Sequence, residues 1–384
     1  MASTITTQAK STKQPNIEST HNEVTQYYYP DPVSQQVIQQ WLFMDLLPWQ
    51  QATWQYLTTH IDALPHAMLF AGNAGTGKRA FVYRFVAWAL CENQRDNVQG
   101  VATACGQCQS CQWLIANTHP DLYQIPTPTV ARDASPKPKV NNALVAQAPT
   151  HQSSYSIKID EIRELQPFVT QSSGGLRIVV IHQADAMTLA ASNALLKTLE
   201  EPAENVLMLL ISDSPSQLLP TIRSRLQSFS VSHSTPAQSM QVMQQLMPNT
   251  DAVTLQQVNG WSGYAPFLAL QMLNSEWYQH RQTWINSFQA VRSGQRTPVQ
   301  ASNYWQKTLT LTDFLYLSQA LLVPLGQFAV GISASAHDLD FGKLQPPPTL
   351  KQISQLQQVI DQIWQDRQQH IQDKLCYDKI FSTM

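Results

Sequence analysis

The stretch that decides the fold is LFAGNAGTGKRA, residues 69–80. An apolar run ends at Gly72, four residues follow, and then come Gly77 and Lys78, the spacing of a phosphate-binding loop. Such a loop works because backbone N–H groups and a lysine surround an anion, while glycines let the main chain approach it closely. The flanks fit: HAMLFAG (66–72) reads as a buried parallel strand, and KRAFVYRFVAWALCEN (78–93) reads as a helix. On that helix Phe81, Phe85 and Ala89 share one face, with Val82 and Val86 alongside. Gly72, Gly75, Gly77 and Lys78 are therefore the candidate nucleotide-binding residues. One position departs. Arg79 stands where a Ser or Thr should hold Mg²⁺, and a guanidinium has no lone pair for a metal and repels one.

Working outward, further short apolar runs are DLYQI (121–125), RIVVIH (177–182) and VLMLLI (206–211). Helical stretches lie between them, notably MTLAASNALLKTLEE (187–201), closed by Pro202. Alternating strands and helices predict an α/β domain, an open parallel sheet with helices on both faces. In a working ATPase of this kind two carboxylates follow the apolar run of RIVVIHQAD directly; here His182 and Gln183 occupy those places. Asp185 comes later and is expected to cap the next helix. The reading is a phosphate cradle with no site for a hard metal. Whether ATP still binds passively stays open, because backbone donors, Lys78 and Arg79 can hold a triphosphate without Mg²⁺.

The rest of the 384 residues divides by pattern. Residues 1–26 are rich in Ser, Thr and Gln and read as a disordered extension. The α/β domain is expected over 27–230, with a helical stretch at 33–60 broken near Pro48 and a flexible Pro/Ala-rich insertion at 126–150. After about residue 231 strand-like runs give way to helical ones: a small helical lid domain over 231–272, with a Gly/Pro turn near 263–266, and an all-helical domain over 273–384.

Only 13% of residues are charged and the formal net charge is −2, which argues against a broad cationic DNA-binding surface. No apolar run approaches the roughly 20 residues that span a bilayer, and residues 1–24 lack the apolar core of a secretory signal. A cytoplasmic, reducing environment is the expectation, so cysteines read as thiols or metal ligands. Cys105, Cys108 and Cys111 repeat as C-x-x-C-x-x-C, and Cys91 supplies a fourth thiolate from the end of the helix after the loop. Two-residue gaps let neighbouring sulfurs reach one tetrahedral Zn²⁺, and four thiolates make such a site structural. An iron–sulfur cluster and free thiols are the alternatives. Cys376 is expected to be an ordinary thiol of a C-terminal helix.

SNALLKTLEEP (192–202) and TIRSRLQSF (221–229), with the cysteine module, THPDLY (118–123) and the phosphate loop, form an ordered set. That set resembles the bacterial AAA+ clamp-loader subunits, the γ/τ and δ′ group of the DNA polymerase III holoenzyme, over roughly residues 47–275. Within the group, Arg79, the missing carboxylate pair and Ala265-Pro266-Phe267 in place of a nucleotide-sensing Arg all depart from the γ/τ motor in the same direction. The resemblance therefore implies a δ′-type, non-hydrolysing scaffold with no enzymatic activity of its own, acting in a DNA-directed DNA polymerase complex during DNA replication. It implies that Arg225, in Ser224-Arg225-Leu226, serves as a catalytic arginine finger in trans for a neighbouring γ/τ ATPase. It also implies γ/τ and δ partners in a heteropentamer held by the C-terminal collar, with the sliding clamp and primer–template DNA reached through the complex and no membrane partner. On the helix of NALLKTLEEP, Leu195, Leu196 and Leu199 form the apolar stripe, while Lys197, Glu200 and Glu201 are expected to meet a neighbour or DNA. The rival readings are an ATP-hydrolysing γ/τ-type subunit and a zinc-containing DNA-binding module with a vestigial phosphate loop.

Overall fold

A computed structural model describes residues 42–96, 100–126, 156–170, 174–231, 233–332, 338–342, 344–366 and 372–384. The extension at 1–26, the helical piece at 33–41 and the insertion from 127 onward lie outside the described residues. After a 3₁₀ turn that begins at Pro48, helix α1 runs Gln51–Thr59. Each of the four apolar runs becomes a strand: β1 (Ala67–Ala71), β4 (Leu122–Ile125), β5 (Arg177–Ile181) and β6 (Val206–Ser212). Not foreseen were an edge strand β7 (Gln227–Ser230) and a small antiparallel pair, β2 (Arg95–Asp96) with β3 (Ala102–Thr103).

The main sheet is parallel throughout, in the order β4–β5–β6–β1–β7. Every residue of β5 and β6 is buried, as strands covered on both faces must be. Alternate residues supply two cores. Met68, Phe70, Val180 and Leu209 face helix α2 (Lys78–Ala89), while Leu69, Val179, Ile181 and Leu210 join a second cluster with α4 (Ile159–Glu164) and α6 (Leu189–Glu200). The register sets Ala71 opposite Ser212, so Gly72 and Asp213 leave the sheet side by side. Between these elements lie α3 (Gln109–Ile115), α5 (Gln166–Thr170) and the single turn α7 (Pro220–Arg223).

Beyond Val231 the described residues contain only helices as regular elements. These are α8 (Pro236–Leu246), α9 (Ala252–Trp261), α10 (Pro266–Asn274), α11 (Glu276–Gln279), α12 (Arg281–Arg292), α13 (Pro298–Thr308), α14 (Leu311–Ala329), α15 (Leu350–Asp366) and α16 (Asp373–Thr383). The turn between α9 and α10 carries Gly263 and Tyr264 at positive φ, and Pro266 opens α10 at the position where a missing N–H costs nothing. The first core continues from α2 through α10 to Trp284, Trp305, Phe314 and Tyr377 in the later helices. Trp284 donates to Ser318 Oγ at 2.9 Å and the Tyr377 hydroxyl to the Leu309 carbonyl at 2.7 Å, so these two side chains are satisfied as well as buried, whereas the Trp305 indole N–H is buried without a partner. Cys376 is buried on α16. No single helix among the described residues is long and apolar enough to cross a membrane.

Candidate functional site: the phosphate loop, the cysteine cluster and Arg225

The loop 72–77 connects β1 to the N-terminus of α2, with Gly72, Gly75 and Gly77 all at positive φ (145°, 79° and 81°). At Gly75 the lack of a side chain is obligatory for packing too. A Cβ there would lie 2.5 Å from Leu268 Cβ on α10, and one at Gly77 would lie 2.5 Å from Leu47 Cδ1. The loop is thus clasped by its own chain. Phe267 N donates to the Gly75 carbonyl (3.1 Å), Trp49 Nε1 to Thr76 O (3.1 Å) and Gln50 Nε2 to Gly77 O (3.2 Å).

The cations of the loop face inward. Lys78 is 3% exposed and donates to the Gly72 and Asn73 carbonyls (2.8 and 2.7 Å) and to Asp213 Oδ1 (2.6 Å). Arg79 Nη2 lies 3.8 Å from Asp213 Oδ2. Asp185 does not cap α6: Thr188 does, its side chain accepting from Ala191 N, because it stands directly before the first helical residue. Asp185 sits in a 3₁₀ turn at 184–186 and accepts from Asp213 N at 3.3 Å. It is a neighbour of the loop's counter-ion.

At the end of β5, His182 fills the place expected for an acidic residue and is 2% exposed. Its ring stacks on Tyr83 of α2 at 5.2 Å, with Nε2 2.5 Å from the tyrosine hydroxyl. Gln124 gives its amide nitrogen to Asn117 Oδ1 (2.9 Å), so its oxygen turns to Tyr83 and accepts the hydroxyl proton. His182 Nε2 must then carry its own proton, and Nδ1 is left with no hydrogen-bond partner. Burial, reinforced by the Arg79 charge, lowers the imidazole pKa to about 3, and burial carries the Tyr83 hydroxyl well above its ordinary value. This corner is a buried, neutral hydrogen-bonded network.

The cysteine ligands converge. Sγ of Cys91, Cys105, Cys108 and Cys111 all lie within 4.8 Å of one another, with close pairs at 3.7–3.9 Å. Four sulfurs about 2.3 Å from a central Zn²⁺ form a tetrahedron with edges of about 3.8 Å, so the set fits the ion, and these gaps are far too long for disulfides. Backbone N–H groups point at the sulfurs: Cys105 N at Cys91 (3.2 Å), Cys108 N at Cys105 (3.2 Å) and Cys111 N at Cys108 (3.4 Å). The donors Gln107 N and Cys108 N pull the Cys105 thiol down to about 6, whereas burial raises Cys91 and Cys111. His119 moors the module. Its Nε2 lies 2.8 Å from Ser110 Oγ, which donates to the Leu90 carbonyl, and its Nδ1 accepts from Asp121 N (3.0 Å).

Arg225 lies far from its own phosphate loop in sequence, in the turn between α7 and β7, with its side chain 36% exposed. Nη2 meets Glu200 Oε1 at 2.6 Å and Nη1 donates to Thr221 O at 2.9 Å. The polar face of α6 thus has a partner within the chain. Residues that sequence reasoning missed are Asp213, Tyr83, Gln124 and His119. The usable signal was Asp213, a lone carboxylate directly after the apolar run of β6.

Comparison with known proteins follows the same lines. A family model described as "DNA polymerase III, delta subunit" matches residues 49–235. DNA polymerase III subunit delta' of Pseudomonas aeruginosa is 35% identical over 230 residues, 59% of this chain and 61% of that protein. The delta' subunit of Escherichia coli is 31% identical over 182 residues, 46% of each chain. DNA polymerase III subunit gamma/tau of Mycobacterium bovis is 30% identical over 174 residues, 44% of this chain and 25% of that protein. The chain spans less than two thirds of the length of these relatives. A gamma-subunit-related protein of Thermotoga maritima aligns over 85% of this chain and 97% of its own at 15% identity, with a TM-score of 0.36, too loose a likeness to carry weight. Over residues 49–235 the chain is thus similar to the delta' subunits of DNA polymerase III and to their gamma/tau relatives.

Proposed function

We propose that the protein is a non-hydrolysing δ′ scaffold of a DNA polymerase III clamp loader. It holds Arg225 out to the ATP of a neighbouring γ/τ subunit and helps to load the sliding clamp on primed DNA. The observation that carries this is the state of the loop. Lys78 and Arg79 are turned onto Asp213, Gly75 and Gly77 are packed under Leu268 and Leu47, and a neutral His182 stands where a carboxylate would orient water. Such a loop has no means of hydrolysing ATP. Arg225, by contrast, is exposed, and a cation delivered in trans meets charge that develops as phosphoryl transfer proceeds, an effect worth ~10³–10⁵ in rate at the site concerned.

The division of labour runs along the chain: the α/β part over 27–230, the helical lid over 231–272 and the helical collar over 273–384, through which γ/τ and δ assemble with it. Cys91, Cys105, Cys108 and Cys111 hold a structural Zn²⁺, whose role is to order the 91–111 segment rather than to react. The test is a reconstituted complex with γ/τ and δ. Arg225→Ala should lower DNA-stimulated ATP turnover severalfold while the complex still assembles, and an unchanged rate removes the trans role. Robust turnover by the isolated chain, abolished by Lys78→Ala, would instead establish the γ/τ-type reading.

A further inference from the structure

We propose that Asp213 is the resident anion of the phosphate loop. Its carboxylate stands where a phosphate would be held, between Lys78 and Arg79, and the loop accepts a pyrophosphate or triphosphate group only once that carboxylate is gone. The two carboxylate oxygens face the two cations, Oδ1 at 2.6 Å from Lys78 Nζ and Oδ2 at 3.8 Å from Arg79 Nη2. Both cations are withdrawn from water, at 3% and 7% exposure, so each needs an anion beside it in the folded chain.

Placement is built into the sheet. Asp213 follows Ser212, which is paired with Ala71, so its carboxylate emerges level with the start of the loop. Asp185 Oδ1, accepting from Asp213 N at 3.3 Å, fixes the backbone there and sets a second negative group nearby. An incoming phosphate must therefore break a buried ion pair and approach like charge, whereas in an open loop the same cations would attract it. Packing by Leu268 and Leu47 constrains the loop but leaves its charge unchanged; Asp213 offsets one of the two positive charges and lies against both.

This inference deepens the non-hydrolysing reading and is tested separately from it. Thermal unfolding of the full chain is followed with and without millimolar pyrophosphate for the native protein, Asp213→Asn, and Asp213→Asn combined with Lys78→Met. The expected result is that pyrophosphate leaves the native Tm unmoved, raises that of Asp213→Asn by about 5 °C, and has no effect on the double variant. Equal shifts for native protein and Asp213→Asn, or no shift in either, overturn the proposal. If Asp213→Asn does not fold unaided, its refolding yield with pyrophosphate is the readout, and no rescue counts equally against it. ATP turnover by the native chain would bear on the non-hydrolysing reading alone.

Discussion

At the scale of single residues, the changes at this loop are changes of charge bookkeeping as much as of shape. His182 shows this. Its folded pKa of about 3 lies below the ordinary value of 6.5, so between those values the unfolded chain binds the extra proton. Its contribution to stability is full above pH 6.5 and is lost as pH falls from there towards 3. Between pH 7 and 5 this one group should cost about 2 kcal/mol of unfolding free energy. Urea unfolding at both pH values should show a drop smaller by about that amount in His182→Gln than in the native protein. An equal drop in both would mean that the buried ring is not held neutral. Asp213 and His182 also mark what a reader of sequence can miss. A missing carboxylate at 182–183 is visible in the string, but the partner that claims Lys78 sits 135 positions away and is brought there only by strand pairing.

At the scale of elements, the two devices worth testing are the clasped loop and the cysteine module. Gly75→Ala should destabilise the protein by about 1–3 kcal/mol, since a Cβ at φ 79° is strained and would strike Leu268 Cβ at 2.5 Å. Denaturant midpoints measure this, and trimming Leu268 to Ala in the same chain should recover none of the loss, because the Cβ, N and Cα atoms that the new methyl meets all remain. The cysteine module has little core of its own beyond its attachment to α2. Cys111→Ser should reduce bound zinc to near zero by elemental analysis, and chelation of the native protein should expose 91–111 to protease, because metal binding by such modules is worth on the order of 10 kcal/mol of local order. Sequence spacing was enough to nominate these four cysteines. It could not show that backbone N–H groups aim at the sulfurs, nor that Ser110 of α3 joins His119 to the Leu90 carbonyl at the end of α2.

At the scale of the whole molecule, one joint connects the middle helices to the later ones. Arg281 pairs with Asp338 at 2.5 Å and lies over the rings of Tyr278 and Trp261, while Trp261 Nε1 donates to the other Asp338 oxygen at 3.2 Å. Removing one member of a largely buried pair strands the other charge. Asp338→Ala should therefore cost about 3 kcal/mol, read as a lower Tm, and should loosen the α9–α12 joint in hydrogen exchange. No pattern in the sequence announced this pair. Its members are separated by 57 positions, and neither stands in a recognisable motif.

What the sequence by itself determined is the kind of fold and which residues stand in the phosphate loop and at the end of β5. Apolar runs of strand length separated by amphipathic helices leave a parallel sheet as the way to bury both faces, and Arg79, His182 and Gln183 stand at their places in the motif wherever the chain folds. Tertiary structure decided what occupies the vacated chemistry. Strand register sets Asp213 beside Gly72, helix α10 closes on Gly75, and Arg225 comes to rest on Glu200. Those are contacts between distant segments. Local propensity fixes which elements form, but only the packing of one element on another chooses which charges meet.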